Sequence, residues 1–151
     1  MQNYTKNDNQ FYPTPNELIE RMLTKIDLDQ IKTILEPSAG DGRIVNYINN
    51  IKTNDRYSYN KKLDIDCIEK DDNLIHILKG NKLRVIYNDF LNFNTFKRYD
   101  VIIMNPPFIE GDEHLLKALD IQRNGGKIIC LLNSETIKNP YSNKRKDLIN
   151  K

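Results

Sequence analysis

The sequence predicts an α/β domain built on a doubly wound, mostly parallel sheet of about five strands. Five short apolar runs alternate with segments of helical periodicity, which is the pattern of βαβ units. Polar or glycine-rich clusters follow four of these runs, where the ligand sites of such sheets lie. At 151 residues, with 38% hydrophobic and 29% charged residues, the chain has the size and composition of one globular domain.

The first ten residues are polar, and we expect them to form a flexible lead to a single domain covering residues 11–151. The stretch FYPTP then enters NELIERMLTKIDLD, where Pro15 suits the first turn of a helix. We expect a helix of about 11–14 residues. Its apolar positions recur at helical spacing: Leu18, Ile19, Met22, Leu23 and Ile26.

The first strand, residues 33–35, stops at Pro37 and enters the small-residue loop EPSAGDG. RIVNYINNIK has helical periodicity, so a helix begins almost at Gly42. The polar stretch KTNDRYSYNKK, residues 52–62, predicts a surface loop.

Four further strands follow. LDIDCIEKDD is the second, and DDNLIHILKGN after it predicts a helix capped by its aspartates and stopped by Gly80. LRVIYNDFLNF is the third strand, YDVIIMNPPF the fourth and GGKIICLLNSE the fifth, with a helix over DEHLLKALDIQRNGG ending at Gly125. The tail ETIKNPYSNKRKDLINK is polar and basic, and one more helix with a solvated face is the favoured interpretation.

Composition excludes some classes of protein. No run approaches the roughly 18 apolar residues of a membrane span, and the N-terminus lacks the apolar core of a signal peptide, so we expect a cytoplasmic protein without membrane contact. The net charge of +2 does not by itself indicate a nucleic-acid binder. Cys67 and Cys130 lie in apolar runs and are expected to be buried free thiols, and no metal site is predicted.

The loop EPSAGDG has glycines that let the backbone approach a ligand closely. Its spacing is not that of the dinucleotide fingerprint, and the carboxylates of Glu36 and Asp41 would repel a pyrophosphate. A ligand with a cationic or hydroxyl-rich part suits them better. Glu69 closes the second strand, as an acid does when it binds two ribose hydroxyls.

NDF follows the third strand and has two interpretations. Asp89 can accept a hydrogen bond from an adenine amino group while Phe90 supplies an apolar wall, or Asp89 can simply cap a helix. The sequence leaves both open.

NPPF, residues 105–108, is the most specific motif. The prolines push Asn105 towards an extended conformation at the end of the strand. The Asn105 side-chain oxygen and the Pro106 carbonyl can then converge on one planar NH₂ group, with Phe108 stacked beside it. An amino group conjugated to a ring is a poor nucleophile. Two acceptors localise its lone pair and stabilise the positive charge that develops on nitrogen in the transition state.

Taken together, these motifs resemble the S-adenosylmethionine-dependent N6-adenine DNA methyltransferases. FYPTP resembles their N-terminal cofactor motif, EPSAGDG their cofactor loop, Glu69 their ribose-binding acid, NDF their adenine-contacting segment and NPPF their (D/N)PP(Y/F) tetrapeptide. The order of motifs is similar to the gamma arrangement, over roughly residues 11–133.

The resemblance implies a Rossmann-like methyltransferase sheet, S-adenosylmethionine as cofactor and adenine in DNA as target, flipped out of the duplex. The catalytic residues it implies are Asn105, Pro106, Pro107 and Phe108. The cofactor-binding residues it implies are Tyr12, Thr14, Pro15, Glu36, Pro37, Ser38, Gly40, Asp41, Gly42, Glu69, Asp89, Phe90 and Asn105.

The chain also departs from that family. Its sheet usually has seven strands that end in an antiparallel hairpin, so we expect the C-terminal hairpin strands to be missing here, together with a separate target-recognition domain. A partner subunit or a second copy is one source of the missing parts. Glutamine N5-methylation in a protein, adenine methylation in RNA and a cofactor- or partner-binding module without activity are the alternatives that the sequence leaves open.

Overall fold

The computed structural model describes residues 11–54 and 62–132, together with residue 150. The expected flexible lead, most of the polar loop and nearly all of the basic tail therefore lie outside the described residues, as does the expected loss of the C-terminal hairpin. In the described part, no helix is both long and apolar enough to cross a membrane.

The described chain forms a parallel sheet flanked by helices. The five strands are β1 (Thr33–Glu36), β2 (Asp64–Ile68), β3 (Val85–Tyr87), β4 (Val101–Met104) and β5 (Lys127–Cys130). The four α-helices are α1 (Asn16–Leu23), α2 (Arg43–Asn54), α3 (Asp72–Gly80) and α4 (Gly111–Ile121). Two short 3₁₀ turns cover Phe90–Asn92 and Phe108–Glu110. The strand order is β3-β2-β1-β4-β5 and every pairing is parallel, which confirms the predicted fold class.

The core lies on both faces of the sheet because side chains of a strand alternate between its faces. On β1, Ile34 joins the core cluster that contains residues of α1 and α2, whereas Leu35 joins the cluster that contains Ala118 of α4. On β4, Val101 and Ile103 take the first face, and the two residues that alternate with them take the second. Apolar residues on both faces of a strand are typical of a sheet covered by helices on both sides.

Two element boundaries differ from the prediction. Helix α1 has 8 residues and ends at Leu23, earlier than expected. The Thr24 hydroxyl donates to the Arg21 carbonyl, and the N–H groups of Lys25 and Ile26 bond three residues back, which tightens the chain into a turn. Helix α2 continues to Asn54 and so includes the first residues of the predicted loop.

Other local predictions are confirmed. The Asp71 carboxylate accepts hydrogen bonds from the N–H groups of Asn73 and Leu74 and caps α3, which ends at Gly80. Cys67 is a buried free thiol, as expected, while the free thiol of Cys130 is only partly buried.

The strand order places the chain reversal of this fold between β1 and β4. From β1 the chain crosses to β2 on one side, whereas β4 and β5 lie on the other side. The loops that leave β1 and β4 therefore diverge and open a crevice at the carboxyl ends of the strands.

Candidate active site

A cavity of about 250 Å³ lies at the carboxyl ends of β1, β2 and β4. Its walls come from the segment before α1, the loop between β1 and α2, the residue that closes β2 and the residues that follow β4. The crevice predicted from the strand order is thus lined by three of the sequence motifs, FYPTP, EPSAGDG and NPPF, together with Glu69.

The loop after β1 depends on two glycines with left-handed backbone. Gly40 has φ +57° and Gly42 has φ +87°, values that residues with a Cβ rarely adopt. A Cβ on Gly42 would lie 2.7 Å from a methyl carbon of Leu83, and one on Gly40 would collide with the Phe11 ring. The close turn and the close packing together explain why glycine stands at both positions.

Glu69 fixes this loop against the end of β2. One carboxylate oxygen accepts a hydrogen bond from the Gly40 N–H at 2.7 Å. The other oxygen accepts from the N–H groups of Lys70 and Asp71, each at 2.9 Å. Glu69 is partly exposed at the cavity wall, so its remaining lone pairs are available to hydroxyl donors of a ligand.

Glu36, the last residue of β1, is the most unusual group of the cavity. It is 1% exposed, and its Oε2 atom has no hydrogen-bond partner among the described residues. Burial raises the pKa of this carboxyl well above its ordinary value, and the charges of Glu69 and Asp41 raise it further, while the N–H of Val45 acts in the opposite direction. An unpartnered buried acid at a cavity wall is a site for a donor or cation from a ligand.

Ser38 adds a second unpartnered group. Its Oγ atom is buried at the same wall and has no hydrogen-bond partner among the residues described. The acidic and basic residues that line the cavity are Glu36, Asp41, Arg43 and Glu69, and because Arg43 is paired with Asp41 at 3.2 Å, the charge of Glu69 is not balanced by it. The cavity therefore has a surplus of negative charge, which favours a ligand with a cationic part.

Asn105 follows β4 and is held by the N-terminal motif. Its Nδ2 atom donates to Oγ1 of Thr14 at 3.1 Å, across 91 residues of chain, and Thr14 is 5% exposed. This bond uses the nitrogen end of the amide, and no residue in the described part of the chain donates a hydrogen bond to its oxygen. The Pro106 carbonyl accepts no hydrogen bond from the described residues, whereas the Pro107 carbonyl accepts one from the Glu110 N–H.

Two aromatic rings stand at the mouth of the cavity. Phe108 is 65% exposed and Tyr12 is 72% exposed, and both line the cavity. Apolar rings that remain in water beside two free acceptors suit a planar ligand that stacks on them.

Asp89 and Phe90 do not line this cavity. Asp89 caps the 3₁₀ turn, because its carboxylate accepts from the Leu91 N–H at 3.2 Å and from the Asn92 amide at 2.6 Å. Both residues line a small adjoining cavity of about 50 Å³, which shares Ser38, Glu69 and Pro107 with the larger one. The cap interpretation of Asp89 therefore holds geometrically, and its side chain still borders the space next to the main cavity.

The structure brings most of the predicted site residues to one place. Those lining the main cavity are Tyr12, Thr14, Glu36, Ser38, Gly40, Asp41, Glu69, Asn105, Pro106, Pro107 and Phe108. Those that do not line it are Pro15, Pro37, Gly42, Asp89 and Phe90. Pro15 instead caps α1, with its carbonyl accepting the N–H groups of Leu18 and Ile19.

Sequence reasoning missed some lining residues. Five residues that were not predicted border the main cavity: Phe11, Ala39, Arg43, Ile44 and Leu74. Of these, Phe11 and Ala39 carried a signal, since they belong to FYPTP and EPSAGDG. His114 of α4 lines the adjoining cavity, is 6% exposed and bonds through Nδ1 to the Glu110 carbonyl. Burial lowers the pKa of His114, so the ring is neutral at pH 7.

Comparison with known proteins supports the fold. No protein-family model matches the chain. Over 104 residues it is 25% identical to the type II methyltransferase M.CvrRI of Paramecium bursaria Chlorella virus XZ-6E, an alignment that covers 68% of this chain and 25% of the relative. The chain thus spans about a quarter of the length of that curated relative.

Several solved structures with this architecture are named as methyltransferases. The StiE O-MT segment has a TM-score of 0.59 at 17% identity, covering 76% of this chain and 42% of that one. The glycopeptide N-methyltransferase MtfA, solved with S-adenosylmethionine, has a TM-score of 0.59 at 13% identity, covering 89% and 55%. The five-stranded sheet with its flanking helices is therefore the Rossmann-like methyltransferase fold.

Proposed function

We propose that this chain is an S-adenosylmethionine-dependent methyltransferase that acts on the exocyclic N6 amino group of adenine in DNA. The observation that carries the proposal is the position of Asn105. Its amide nitrogen donates to Thr14, and no described residue donates to its amide oxygen. Asn105 lines the same cavity as Glu36, whose Oε2 atom has no partner among the described residues. An acceptor for an amino group and an acceptor for a cationic ligand thus share one cavity.

The lining residues fit this cofactor. Its ammonium and sulfonium groups are cationic, which matches the surplus of negative charge and the unpartnered Glu36 Oε2. Its ribose hydroxyls match Glu69, whose carboxylate also fixes the Gly40 backbone. Ser38 Oγ supplies a further hydroxyl that has no protein partner in the described chain. When bound, S-adenosylmethionine supplies an electrophilic methyl group with a neutral thioether as leaving group.

The protein's part in the chemistry is to hold the amino group. Asn105 Oδ1 and the Pro106 carbonyl accept its two N–H bonds, so the nitrogen lone pair is withdrawn from the ring and directed outward. Both acceptors gain strength as positive charge develops on that nitrogen. No general base is required before attack, and the proton leaves the methylated, cationic nitrogen afterwards.

The preference for a nucleic-acid base rests on the aromatic rings at the cavity mouth. Phe108 and Tyr12 present apolar faces to solvent, and a base flipped out of a duplex needs such faces in place of its stacking partners. The description of the aligned relative as a type II methyltransferase supports methyl transfer by this fold.

Labelled cofactor tests the proposal. The protein is incubated with S-adenosylmethionine labelled in its methyl group and with DNA, RNA and protein in separate reactions, beside Asn105→Ala. We expect label in DNA and a loss of about 10²–10³-fold in rate in the variant, the range for removing one group that stabilises transition-state charge.

The other outcomes separate the alternatives. Label in protein favours glutamine N5-methylation. Label in RNA alone identifies RNA, rather than DNA, as the substrate. Binding of the cofactor by calorimetry without label in any substrate favours a binding module. Absence of cofactor binding at millimolar concentration contradicts the proposal as a whole.

A further inference from the structure

A second concave surface lies at the opposite edge of the sheet, where the strands begin. It is formed by residues 94–98 before β4, residues 117 and 120–121 of α4, and the turn at 122–125 before β5, and it encloses about 440 Å³. We call it the basic groove. A strand rises about 3.3 Å per residue, so over four residues the groove lies about 13 Å from the carboxyl ends of the strands, where the candidate active site lies.

Phe96 is the most exposed large apolar residue of the described chain. Its side chain is as open as that of an isolated residue, with a relative exposure of 108%. The neighbouring backbone is ordered by a hydrogen bond from the Lys97 N–H to Oγ1 of Thr95 at 2.9 Å. A single exposed apolar residue needs no special explanation, so the inference depends on what surrounds it.

Positive charge surrounds Phe96. The groove contains Lys97, Arg98, Lys117 and Arg123 but only one acid, Asp120. This local surplus contrasts with a whole chain that carries 23 basic and 21 acidic residues. The groove thus concentrates positive charge that the chain as a whole lacks.

Most of this charge is not used within the fold. The Arg98 side chain makes no hydrogen bond or ion pair with the described residues. Arg123 is 3.9 Å from Asp120 and both are exposed, a contact that contributes little. Within the described residues, Lys117 donates only to the neutral amide of Asn94, at 3.3 Å. Lys97 is the exception, because Asp64 and Asp66 hold it.

We propose that the basic groove binds single-stranded nucleic acid, at a surface distinct from the candidate active site. Arg98, Lys117 and Arg123 would contact phosphates, and Phe96 would stack on an unpaired base. A duplex hides the faces of its bases, so the exposed ring favours a single strand over a duplex. An acidic peptide would pair with the basic side chains, but it offers no planar group that stacks on Phe96.

Fluorescence anisotropy with a labelled, thymine-only DNA strand of about 15 nucleotides tests this proposal. Thymine has no exocyclic amino group, so the strand does not depend on the acceptors at Asn105. We expect Arg98→Glu combined with Arg123→Glu to weaken binding at least tenfold, and to reduce the slope of log affinity against log salt by about 1.4, for two lost phosphate contacts. Phe96→Ala should weaken binding about tenfold, the effect of one lost stacking contact.

The matched control is Arg21→Glu combined with Lys79→Glu, which changes the net charge by the same amount at two exposed helix residues outside the groove. It should change affinity less than twofold. The proposal is overturned if the wild-type protein does not bind the strand, if the control weakens binding as much as the groove variants, or if an acidic peptide binds the groove and the strand does not.

Cofactor binding by calorimetry separates this proposal from the proposed function. The groove variants should retain the wild-type affinity for S-adenosylmethionine, because their side chains lie outside the cavity. If the protein binds the strand but not the cofactor, the proposed function is contradicted, whereas the proposal for the basic groove is supported.

Discussion

Two buried carboxylates on neighbouring strands, one in the middle of β2 and one at the carboxyl end of β1, have opposite surroundings. Asp66 on β2 is 3% exposed and accepts from Arg84 at 2.5 Å, Lys97 at 2.6 Å and the Tyr99 hydroxyl at 2.8 Å. Glu36 on β1 is 1% exposed, and its Oε2 atom has no hydrogen-bond partner among the described residues. The first acid is satisfied within the fold, and the second is not.

The comparison shows how a buried acid that stabilises the fold can be distinguished from one that binds a ligand. The partners of Asp66 precede β3 and β4 in the chain, so this network ties the middle of β2 to the segments that lead into those two strands. A protein can satisfy a buried acid completely when only stability is at stake. Glu36 is left incomplete at a cavity wall, and the group that completes it is therefore expected from a ligand.

The largest effect on stability is expected from Asp66→Ala. The change leaves Arg84 and Lys97 without their buried partner and should lower the free energy of unfolding by about 3 kcal/mol, as for other broken buried pairs. Urea denaturation measures it. Asp64→Ala is the control, because Asp64 contacts the same two cations but is 41% exposed and should cost less than about 1 kcal/mol. Equal losses in the two variants would contradict the structural role assigned to Asp66.

Glu36→Gln should have the opposite effect, lowering the affinity for the cofactor but not the stability of the fold. The amide keeps the shape of the side chain but cannot become an anion, so the affinity for S-adenosylmethionine should fall by about 10- to 100-fold, the range for a hydrogen bond to a charged group. Stability at neutral pH should not fall. Calorimetry measures the affinity, and Asp66→Asn, outside the cavity, should leave it unchanged. A variant that binds the cofactor normally would remove Glu36 from the site.

The pH dependence of stability sharpens the same comparison. The pKa of Glu36 is raised in the folded protein, so the folded state holds this proton at pH values where the unfolded state has lost it. Its contribution to stability is therefore complete below the ordinary value near 4.5 and is lost as pH rises through the raised pKa, with a slope of at most about 1.4 kcal/mol per pH unit.

Urea denaturation across that window, for the wild-type protein and for Glu36→Gln, measures this contribution. The difference in the free energy of unfolding between the two proteins should shift in favour of the variant as pH rises. A difference that stays constant with pH would mean that Glu36 is already ionised in the folded protein. Because a cationic ligand favours the ionised carboxyl, cofactor binding in this window should also release protons from the wild-type protein and not from the variant.

Much of the fold could be predicted from the sequence because it depends on local patterns. The five apolar runs predict β1 to β5, and EPSAGDG predicts the glycine loop between β1 and α2, in which the structure shows positive φ at Gly40 and Gly42. The end of α1 was not accessible in this way. It depends on the Thr24 hydroxyl, which competes with the helix for the Arg21 carbonyl.

The site could be predicted only in part, for a different reason. Motifs identify Glu36 and Asn105 as candidates, but whether a buried oxygen has a partner depends on residues distant in sequence. The bonds to Asp66 join residues 18 to 33 positions apart, and the Thr14–Asn105 bond spans 91. No periodicity or spacing contains that information, so neither the satisfied acid nor the unsatisfied one could be recognised before the fold was known.

Thr14→Val should have the smallest of these effects and tests a polar side chain of the cavity wall that is hydrogen-bonded within the fold. Without the hydroxyl, the Asn105 amide can rotate and present its nitrogen, a donor, where an acceptor is needed. We expect a fall in kcat of about tenfold, equivalent to about 1.4 kcal/mol, with KM for the cofactor changed less than threefold. Thr14→Ser keeps the hydroxyl and should restore the rate. If Thr14 acts only by packing, the isosteric Val should be the better replacement and Ser the worse, because Val keeps both branches of the side chain and Ser does not.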